Sequence, residues 1–200
     1  MYTVAISDGN SKLGTIPQVN LPCISTCRPG LPCARAGQCY AMKAWQQYPP
    51  TRAAWSRNLL AYTFDRADYF AQVQAYLAKR SPRYFRWHSS GDILDLAYLD
   101  GMVQVAKAFP GTRFRAFTKQ YALVNEYLAS GHTFPANLLV GFSAWPGLAM
   151  DNPHRLPVAW LYDRKNLDLR IPDGTRVCPG SCRRCKVCWL TDGDVVFHKH

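Results

Sequence analysis

The sequence predicts one α/β domain in which crossover helices join parallel strands, arranged as a partial or complete (β/α) barrel with long cysteine-bearing loops at both ends. Two observations predict this class. Segments with the two-residue period of a strand alternate with segments of helical period, at the spacing of parallel pairing. The 200 residues, 48% of them hydrophobic, also suffice for one buried core and not for two. We therefore expect a single domain over residues 1–200.

Three parts are expected within this domain. Residues 1–50 form a cysteine-rich loop region, because they show little periodicity and many Gly and Pro breakers. Residues 51–172 form the α/β core. Residues 173–200 form a loop with a cysteine cluster, followed by the tail.

The core begins with two helices over residues 51–80, and Asp65 or Asp68 is suited to start the second. Strands and helices then alternate, and Gly131 ends the last helix of this series. The predicted strands are 84–90, 113–119, 137–145 and 157–163, and the predicted helices between them are 92–110 and 122–131.

Functional residues of parallel α/β proteins gather where the strands end, and three of these strands end in polar segments. The segments are HSSGD at 88–92, FTKQ at 117–120 and FSAWPG at 142–147. His88 and Asp92 form a candidate acid and base pair, and Lys119 is a candidate catalytic cation. We expect the three segments to face one pocket.

Residues of the first segment also have structural interpretations. The alternative for His88 is a hydrogen-bonded histidine at a strand end, and Asp92 is explained equally well by an N-cap of the helix that starts at Ile93. Ser89 and Ser90 supply hydroxyl donors to a pocket. Gly91 is more easily explained by a tight backbone turn.

Eight cysteines in a chain without a secretory signal favour metal or cluster ligation over disulfides. The C-terminal four are Cys178, Cys182, Cys185 and Cys188. Their spacing allows three or four thiolates to surround one compact polynuclear centre. A single zinc ion usually takes its ligands from two well-separated pairs, which this segment lacks. An iron–sulfur cluster, of the 4Fe-4S type, is therefore favoured, with zinc as the alternative.

The N-terminal four are Cys23, Cys27, Cys33 and Cys39, and their spacing matches no compact motif. They suit a second centre, or some of them complete one site with the C-terminal group and join the two ends of the chain. Buried cysteine without a ligand is the alternative for each, and first for Cys23. His198 and His200 are weaker ligand candidates, because chain ends fray.

The chain carries 24 Lys and Arg against 13 Asp and Glu, a formal charge of +11. This favours a basic surface and nucleic acid, DNA or RNA, as the partner. Charge compensation is the alternative, because metal-bound thiolates add negative charge and Arg183, Arg184 and Lys186 lie between the C-terminal cysteines. With no apolar segment of about 20 residues and no signal-like N-terminus, the protein is expected to be cytoplasmic and not bound to a membrane.

Several motifs together resemble a known phage family. They are ISDGNSKLG, CRPGLPCARAGQCYAMKAW, FRWHSSGDI, RFRAFTK, VGFSAWPG and CPGSCRRCKVCW, and they span nearly the whole chain. In this pattern the chain is similar to the phage family called gene product 88. The resemblance implies a viral protein expressed in the host cytoplasm, with cysteine groups at both ends. Cys27, Cys33 and Cys39 match the family's N-terminal group, whereas Cys23 stands where a proline is expected.

Such proteins also resemble the radical S-adenosylmethionine barrel enzymes. In those enzymes a CxxxCxxC motif follows the first barrel strand, whereas here the matching motif follows the last one. Cys188, as a fourth ligand, would close the iron site to the cofactor. The SSGD segment resembles their glycine-rich motif, which implies that S-adenosylmethionine contacts Ser89, Ser90 and Gly91.

Three functions fit these observations. The first is an iron–sulfur protein that acts on nucleic acid as a nuclease, with His88, Asp92 and Lys119 in phosphodiester cleavage. The second is a redox or radical S-adenosylmethionine enzyme acting on a small substrate. The third is a zinc-stabilised nucleic-acid-binding module without catalysis.

Overall fold

The computed structural model describes residues 2–35, 37–162 and 171–198. The strands in these residues are Ile6–Ser7 (β1), Gln18–Val19 (β2), Tyr84–Trp87 (β3), Arg113–Thr118 (β4), Leu138–Ser143 (β5), Val158–Tyr162 (β6), Arg176–Val177 (β7) and Val195–His198 (β8). The helices are Pro32–Arg35 (α1), Tyr40–Gln47 (α2), Pro49–Phe64 (α3), Arg66–Arg80 (α4), Leu96–Ala108 (α5), Tyr121–Ala129 (α6) and Val187–Leu190 (α7).

The described strands form one sheet in the order β1-β2-β3-β4-β5-β6-β8-β7. All neighbouring strands are parallel except β1 and β2. The predicted α/β class and parallel pairing are confirmed. A closed barrel is not, because β1 and β7 lie at opposite edges and each is two residues long.

Helices α3 to α6 supply the core on one face of the sheet. Along β3 the side chains alternate, so Phe85 and Trp87 are buried towards these helices while Tyr84 and Arg86 face away. Phe70 of α4 packs directly over Gly101 of α5, where a Cβ atom would lie 2.2 Å from the Phe70 ring. This contact explains a glycine within a helix, which otherwise costs about 1 kcal/mol relative to alanine.

The helix starts test two sequence predictions. Asp65 caps α4 by accepting a hydrogen bond from the Asp68 amide, which confirms the first. The cap of α5 is Asp95, which accepts from the Tyr98 amide, so the N-cap interpretation of Asp92 is wrong. None of the described helices is long and apolar enough to cross a bilayer.

Short strands in the predicted loop regions 1–50 and 173–200 join the sheet, while the segments 20–31 and 178–186 that carry most of the cysteines are irregular. β2 pairs with β3, and Asn58 of α3 holds the N-terminal segment by hydrogen bonds with Ala5 and with the Asn20 carbonyl. In the C-terminal part, β8 lies between β6 and β7. These elements escape sequence analysis because two to four residues carry too little periodicity, and their pairing partners are distant in the chain.

The second face of the sheet is covered by the two cysteine-bearing ends. A small cluster there contains Leu13, Ile16, Cys182 and Trp189, with Tyr84 packed against it. The Cys182 amide donates to the Lys12 carbonyl at 2.8 Å, which joins the C-terminal loop to the N-terminal turn. The cysteine loop is therefore a layer of the fold.

Candidate metal centres and the carboxyl edge of the sheet

The three predicted polar segments meet where β3, β4 and β5 end. Asp92 accepts hydrogen bonds from the Thr118 hydroxyl at 2.5 Å and from the Lys119 amide at 2.9 Å. The Lys119 Nζ donates in turn to the Ser143 hydroxyl at 3.1 Å. The strand ends are thus joined through Asp92, Lys119 and Ser143, as parallel pairing leads us to expect.

Asp92 is buried and accepts hydrogen bonds from the end of β4. Burial raises the pKa of its carboxyl, while hydrogen bonds from Thr118 and the Lys119 amide oppose that shift. Its role as an acid or base stays a prediction. The structure does bring Asp92 and Lys119 together, as that prediction requires.

His88 lies elsewhere, because its side chain turns into the aromatic core. Its Nε2 atom lies 2.9 Å from the Tyr98 hydroxyl, which lies 2.7 Å from that of Tyr69. Burial, with a smaller contribution from the charge of Arg86, lowers the pKa of His88 to about 3. No hydrogen bond joins His88 to Asp92, so its placement favours the structural interpretation of this histidine.

The Ser89–Gly91 turn is bound to the segment that follows β2. The amides of Ser89 and Ser90 donate to Asn20 Oδ1 at 2.7 and 3.1 Å, and the Ser90 hydroxyl donates to the Leu21 carbonyl. Gly91 has a φ of +78°, and a Cβ atom there would lie 2.6 Å from Leu21. The tight turn expected at Gly91 is confirmed, whereas cofactor contacts by Ser89, Ser90 and Gly91 stay predictions.

The N-terminal thiol set, which we define as Cys23, Cys27, Cys33 and Cys39, gathers at this same edge. Cys23 donates a side-chain hydrogen bond to the Cys39 sulfur. The charge of Lys119 acts on Cys27, Cys33 and Cys39. The predicted ligands therefore lie beside the polar strand ends, and Cys23, which the sequence analysis set apart, lies with them.

The protonation of this set is uneven. The hydrogen bond from Cys23 lowers the pKa of Cys39 to about 6 against the opposing effect of burial, and the Ala41 and Met42 amides of α2 assist. Burial and the neighbouring Asp92 raise the pKa of Cys27 to about 12. Cys39 is therefore the member of the set whose pKa favours the thiolate, the form that binds metal.

The C-terminal thiol set, which we define as Cys178, Cys182, Cys185 and Cys188, lies on the second face of the sheet. All four residues line one cavity of about 20 Å³, which is room for about one water molecule. The Cys178 amide donates to the Val196 carbonyl of β8 at 2.8 Å, so the loop is fixed to the sheet. The two sets therefore occupy separate places in the fold.

The cations that act on the C-terminal thiol set come from distant parts of the sequence. Arg115 and Arg86 oppose the effect of burial, which raises the pKa of Cys188. The cations between the cysteines have other contacts: Arg183 packs against Gly14, and the Lys186 ammonium donates to the Cys182 carbonyl. Sequence spacing gives no signal for Arg86 or Arg115.

Neither set is arranged around a single ion. Among the described residues, no three Cys, His, Asp or Glu side chains converge closely enough to hold one metal ion. Of the weaker ligand candidates, His198 contacts the Tyr162 ring at a centroid distance of 5.3 Å, and His200 lies outside the described residues. A metal centre at either set therefore requires its loop to adjust around the bound group.

Both thiol sets nevertheless supply the donor chemistry of a soft metal centre: each contains four thiols with cationic neighbours. A search of curated proteins and a search of solved structures each found no match. The family model described as Gene product 88 matches residues 4–191, which include both thiol sets and the polar strand ends. The chain therefore belongs to the Gene product 88 family.

Proposed function

We propose that this chain is an iron–sulfur enzyme whose reactive centre is held by the N-terminal thiol set. One observation carries the proposal: the charge of Lys119 acts on Cys27, Cys33 and Cys39, at the edge where parallel α/β proteins bind substrates. Asp92 acts on Cys27 as well. The charge of Lys119 favours their thiolate form.

The position of this set in the topology supports a comparison with radical S-adenosylmethionine enzymes. The N-terminal thiol set follows β2, which is the first strand of the parallel part of the sheet. The SSGD segment follows β3, the next strand in the chain. The cysteine loop and the glycine-containing turn thus come in the order that the resemblance implies. By this order the N-terminal thiol set, and not the C-terminal CxxxCxxC motif, corresponds to the cysteine motif of those enzymes.

Within this proposal, Cys27, Cys33 and Cys39 hold the cluster, and a bound 4Fe-4S cluster would supply electron transfer. Cys23 donates its hydrogen bond to Cys39 and is not a ligand, which leaves one iron open for a cofactor such as S-adenosylmethionine. Redox or radical chemistry is favoured over hydrolysis because His88 is buried and neutral, so phosphodiester cleavage lacks its predicted histidine.

A nucleic-acid substrate is the second part of the proposal, and it rests on charge. The chain carries a formal charge of +11, and Lys119 and Arg28 bring cations to the carboxyl edge. Phosphate contacts release counterions, so binding would weaken steeply between low and moderate salt. A nuclease that uses Asp92 and Lys119 is the second candidate, since the Lys119 amide donates to Asp92 and the charge of Lys119 acts on the Asp92 carboxyl.

The test is metal analysis of protein purified without oxygen, with iron, sulfide and zinc measured beside an absorption spectrum. We expect broad absorption near about 400 nm and matching iron and sulfide. The Cys33→Ala/Cys39→Ala variant should lose part of its iron and sulfide. In its reduced form it should also lose the ability to cleave S-adenosylmethionine. Cys23→Ser serves as the matched control and should retain the cluster.

Other outcomes contradict the proposal in distinct ways. A colourless protein with stoichiometric zinc would make this chain a zinc-stabilised binding module. A cluster that is unchanged in Cys33→Ala/Cys39→Ala would assign the iron to the C-terminal thiol set alone. Loss of the cluster in Cys23→Ser would make Cys23 a fourth ligand and close the open iron.

A further inference from the structure

Three cations lie close to the C-terminal thiol set. Arg115 of β4 is fully buried, at 0% exposure, and none of its three guanidinium nitrogens has a hydrogen-bond partner among the described residues. Arg86 and Lys12 are half-buried beside it, and the charges of Cys182 and Cys188 act on both. No carboxylate in the described part of the chain forms an ion pair with any of the three.

The fold accommodates Arg115 without neutralising it. Its guanidinium carbon lies 4.1 Å from the Phe117 ring centroid, and that of Arg86 lies 4.6 Å from the same centroid. Gly141 of β5 leaves space for the guanidinium, since a Cβ atom there would lie 2.9 Å from Arg115 Nη2. Contact with an aromatic face offsets only part of the cost of burying a charge and its unpaired donors.

The missing counter-charge points to an anion at the thiols. Four thiolates around a divalent zinc ion or a 4Fe-4S core leave a net negative charge on the assembled centre. Arg115 lies where that charge would develop, because its strand β4 packs against α7, which carries Cys188.

We infer that Cys178, Cys182, Cys185 and Cys188 hold an anionic metal centre and that Arg115 is its buried counter-ion, assisted by Arg86 and Lys12. This inference extends the metal binding of the proposed function to the second face of the sheet. It does not depend on the reactive centre at the carboxyl edge. Arg115 is a positioning residue here, since it acts on the centre through charge and is not a ligand.

The test compares Arg115→Met with Arg113→Met, which removes an exposed cation from the same strand. In the metal-loaded chain, we expect Arg115→Met to lower Tm and to release metal to a chelator about tenfold faster than wild type. In the metal-free chain, we expect it to raise Tm by roughly 5 °C, because an uncompensated buried charge is gone. Arg113→Met should change neither form.

A Tm that falls in the metal-loaded chain and rises in the metal-free chain distinguishes a counter-ion from a packing residue. A Tm change of the same sign in both forms, or an unchanged release rate, overturns the inference. Arg115→Lys keeps the charge and should slow metal release relative to Arg115→Met, and the release rate requires no folded metal-free form. If the centre is an iron–sulfur cluster, Arg115→Met should also shift its reduction potential to a more negative value.

The same measurements in the Cys33→Ala/Cys39→Ala background separate this inference from the proposed function. Metal that remains there and depends on Arg115 supports the inference even if the carboxyl edge carries no cluster. A wild-type C-terminal thiol set that takes up no metal overturns it. Stabilisation of the metal-free chain by phosphate, lost in Arg115→Met, would assign the cations to a free oxyanion and overturn the metal centre.

Discussion

The two thiol sets contain four cysteines each, but they differ in their place on the sheet and in the charges around them. The N-terminal thiol set lies at the carboxyl edge of the sheet, where Asp92 and Lys119 act on its sulfur atoms. The C-terminal thiol set lies on a face of the sheet, beside Arg115 and Arg86. The first has the carboxylate of Asp92 and the cation of Lys119 as neighbours, whereas the second has two arginines.

This difference separates a site suited to chemistry from one suited to structure. Loops at the carboxyl edge are free to vary around a substrate, because the strands below hold the fold. The C-terminal loop instead supplies Cys182 and Trp189 to the second hydrophobic cluster. Metal at the C-terminal thiol set would therefore be coupled to folding, and metal at the N-terminal thiol set to activity.

The largest expected effect comes from removing C-terminal thiols. We expect Cys182→Ala/Cys185→Ala to destabilise the whole chain by several kcal/mol, because metal binding at a structural centre contributes directly to folding. Cys33→Ala/Cys39→Ala should lose its own metal with a much smaller change in stability. Thermal unfolding and metal content of both variants provide the measurement.

The metal-free wild type is the control for these variants, because it separates loss of metal from loss of the side chains. Equal destabilisation by the two double variants would remove the distinction between the sets. Unchanged metal content in Cys182→Ala/Cys185→Ala would show that these two thiols are not ligands.

A smaller effect is expected on the pH dependence of stability, because His88 is buried in the core beneath the carboxyl edge. Its pKa of about 3 in the folded chain lies below the usual value of about 6.5, so in this interval the unfolded chain binds a proton that the folded chain does not. Stability should therefore fall as the pH falls through this interval, by up to several kcal/mol near about pH 3.

His88→Asn removes this titration and suits the positive φ of 56° at this position. We expect its stability to fall less steeply than that of wild type below about pH 6.5. Denaturant unfolding at a series of pH values provides the measurement. An identical slope in the two proteins would contradict the assignment, and lost activity with intact metal would return His88 to the catalytic candidates.

The smallest effect is expected for Asp92→Asn. The new amide group cannot accept from both Thr118 and the Lys119 amide, so we expect a loss of about 1–2 kcal/mol at neutral pH. The pH dependence has the opposite sign to that of His88. Burial raises the pKa of Asp92, so the wild type loses stability as the pH rises above about 3.9, and the variant should not.

The comparison of the sets predicts that Asp92→Asn affects one of them alone. The Asp92 charge raises the pKa of Cys27, so its removal favours the thiolate that binds metal. Metal at the N-terminal thiol set should therefore be released more slowly to a chelator than in wild type, and release from the C-terminal thiol set should not change. Faster release from both sets would indicate a general loosening of the fold and contradict a local role for Asp92.

Long periodic segments were predicted correctly from the sequence. The four central strands, α3 to α6 and the Asp65 cap follow from patterns within 10 to 20 neighbouring residues. The start of α5 was misplaced because Asp92 and Asp95 are both suitable caps locally. Asp92 instead binds Thr118, a choice that depends on the neighbouring strand.

The candidate site was predicted only in part, because some of its contacts depend on neighbouring strands and on the packed core. Parallel strands bring their ends together, so the meeting of Asp92, Lys119 and Ser143 follows from topology. The rotamer of His88 does not, because only the packed core determines that its ring lies against Tyr98. The place of Cys23 beside Cys39 does not follow from the sequence either, because the spacing of the N-terminal thiol set matches no compact motif.

The sequence by itself determined the α/β class, the polar strand ends and the division of the eight thiols into two groups. Each of these depends on residues that are close together in the sequence. The tertiary structure decided that these groups lie apart and that an arginine from a central strand faces one of them. Such choices arise from contacts between residues far apart in sequence. Arg115 is one strand residue among many until folding buries it beside Cys188.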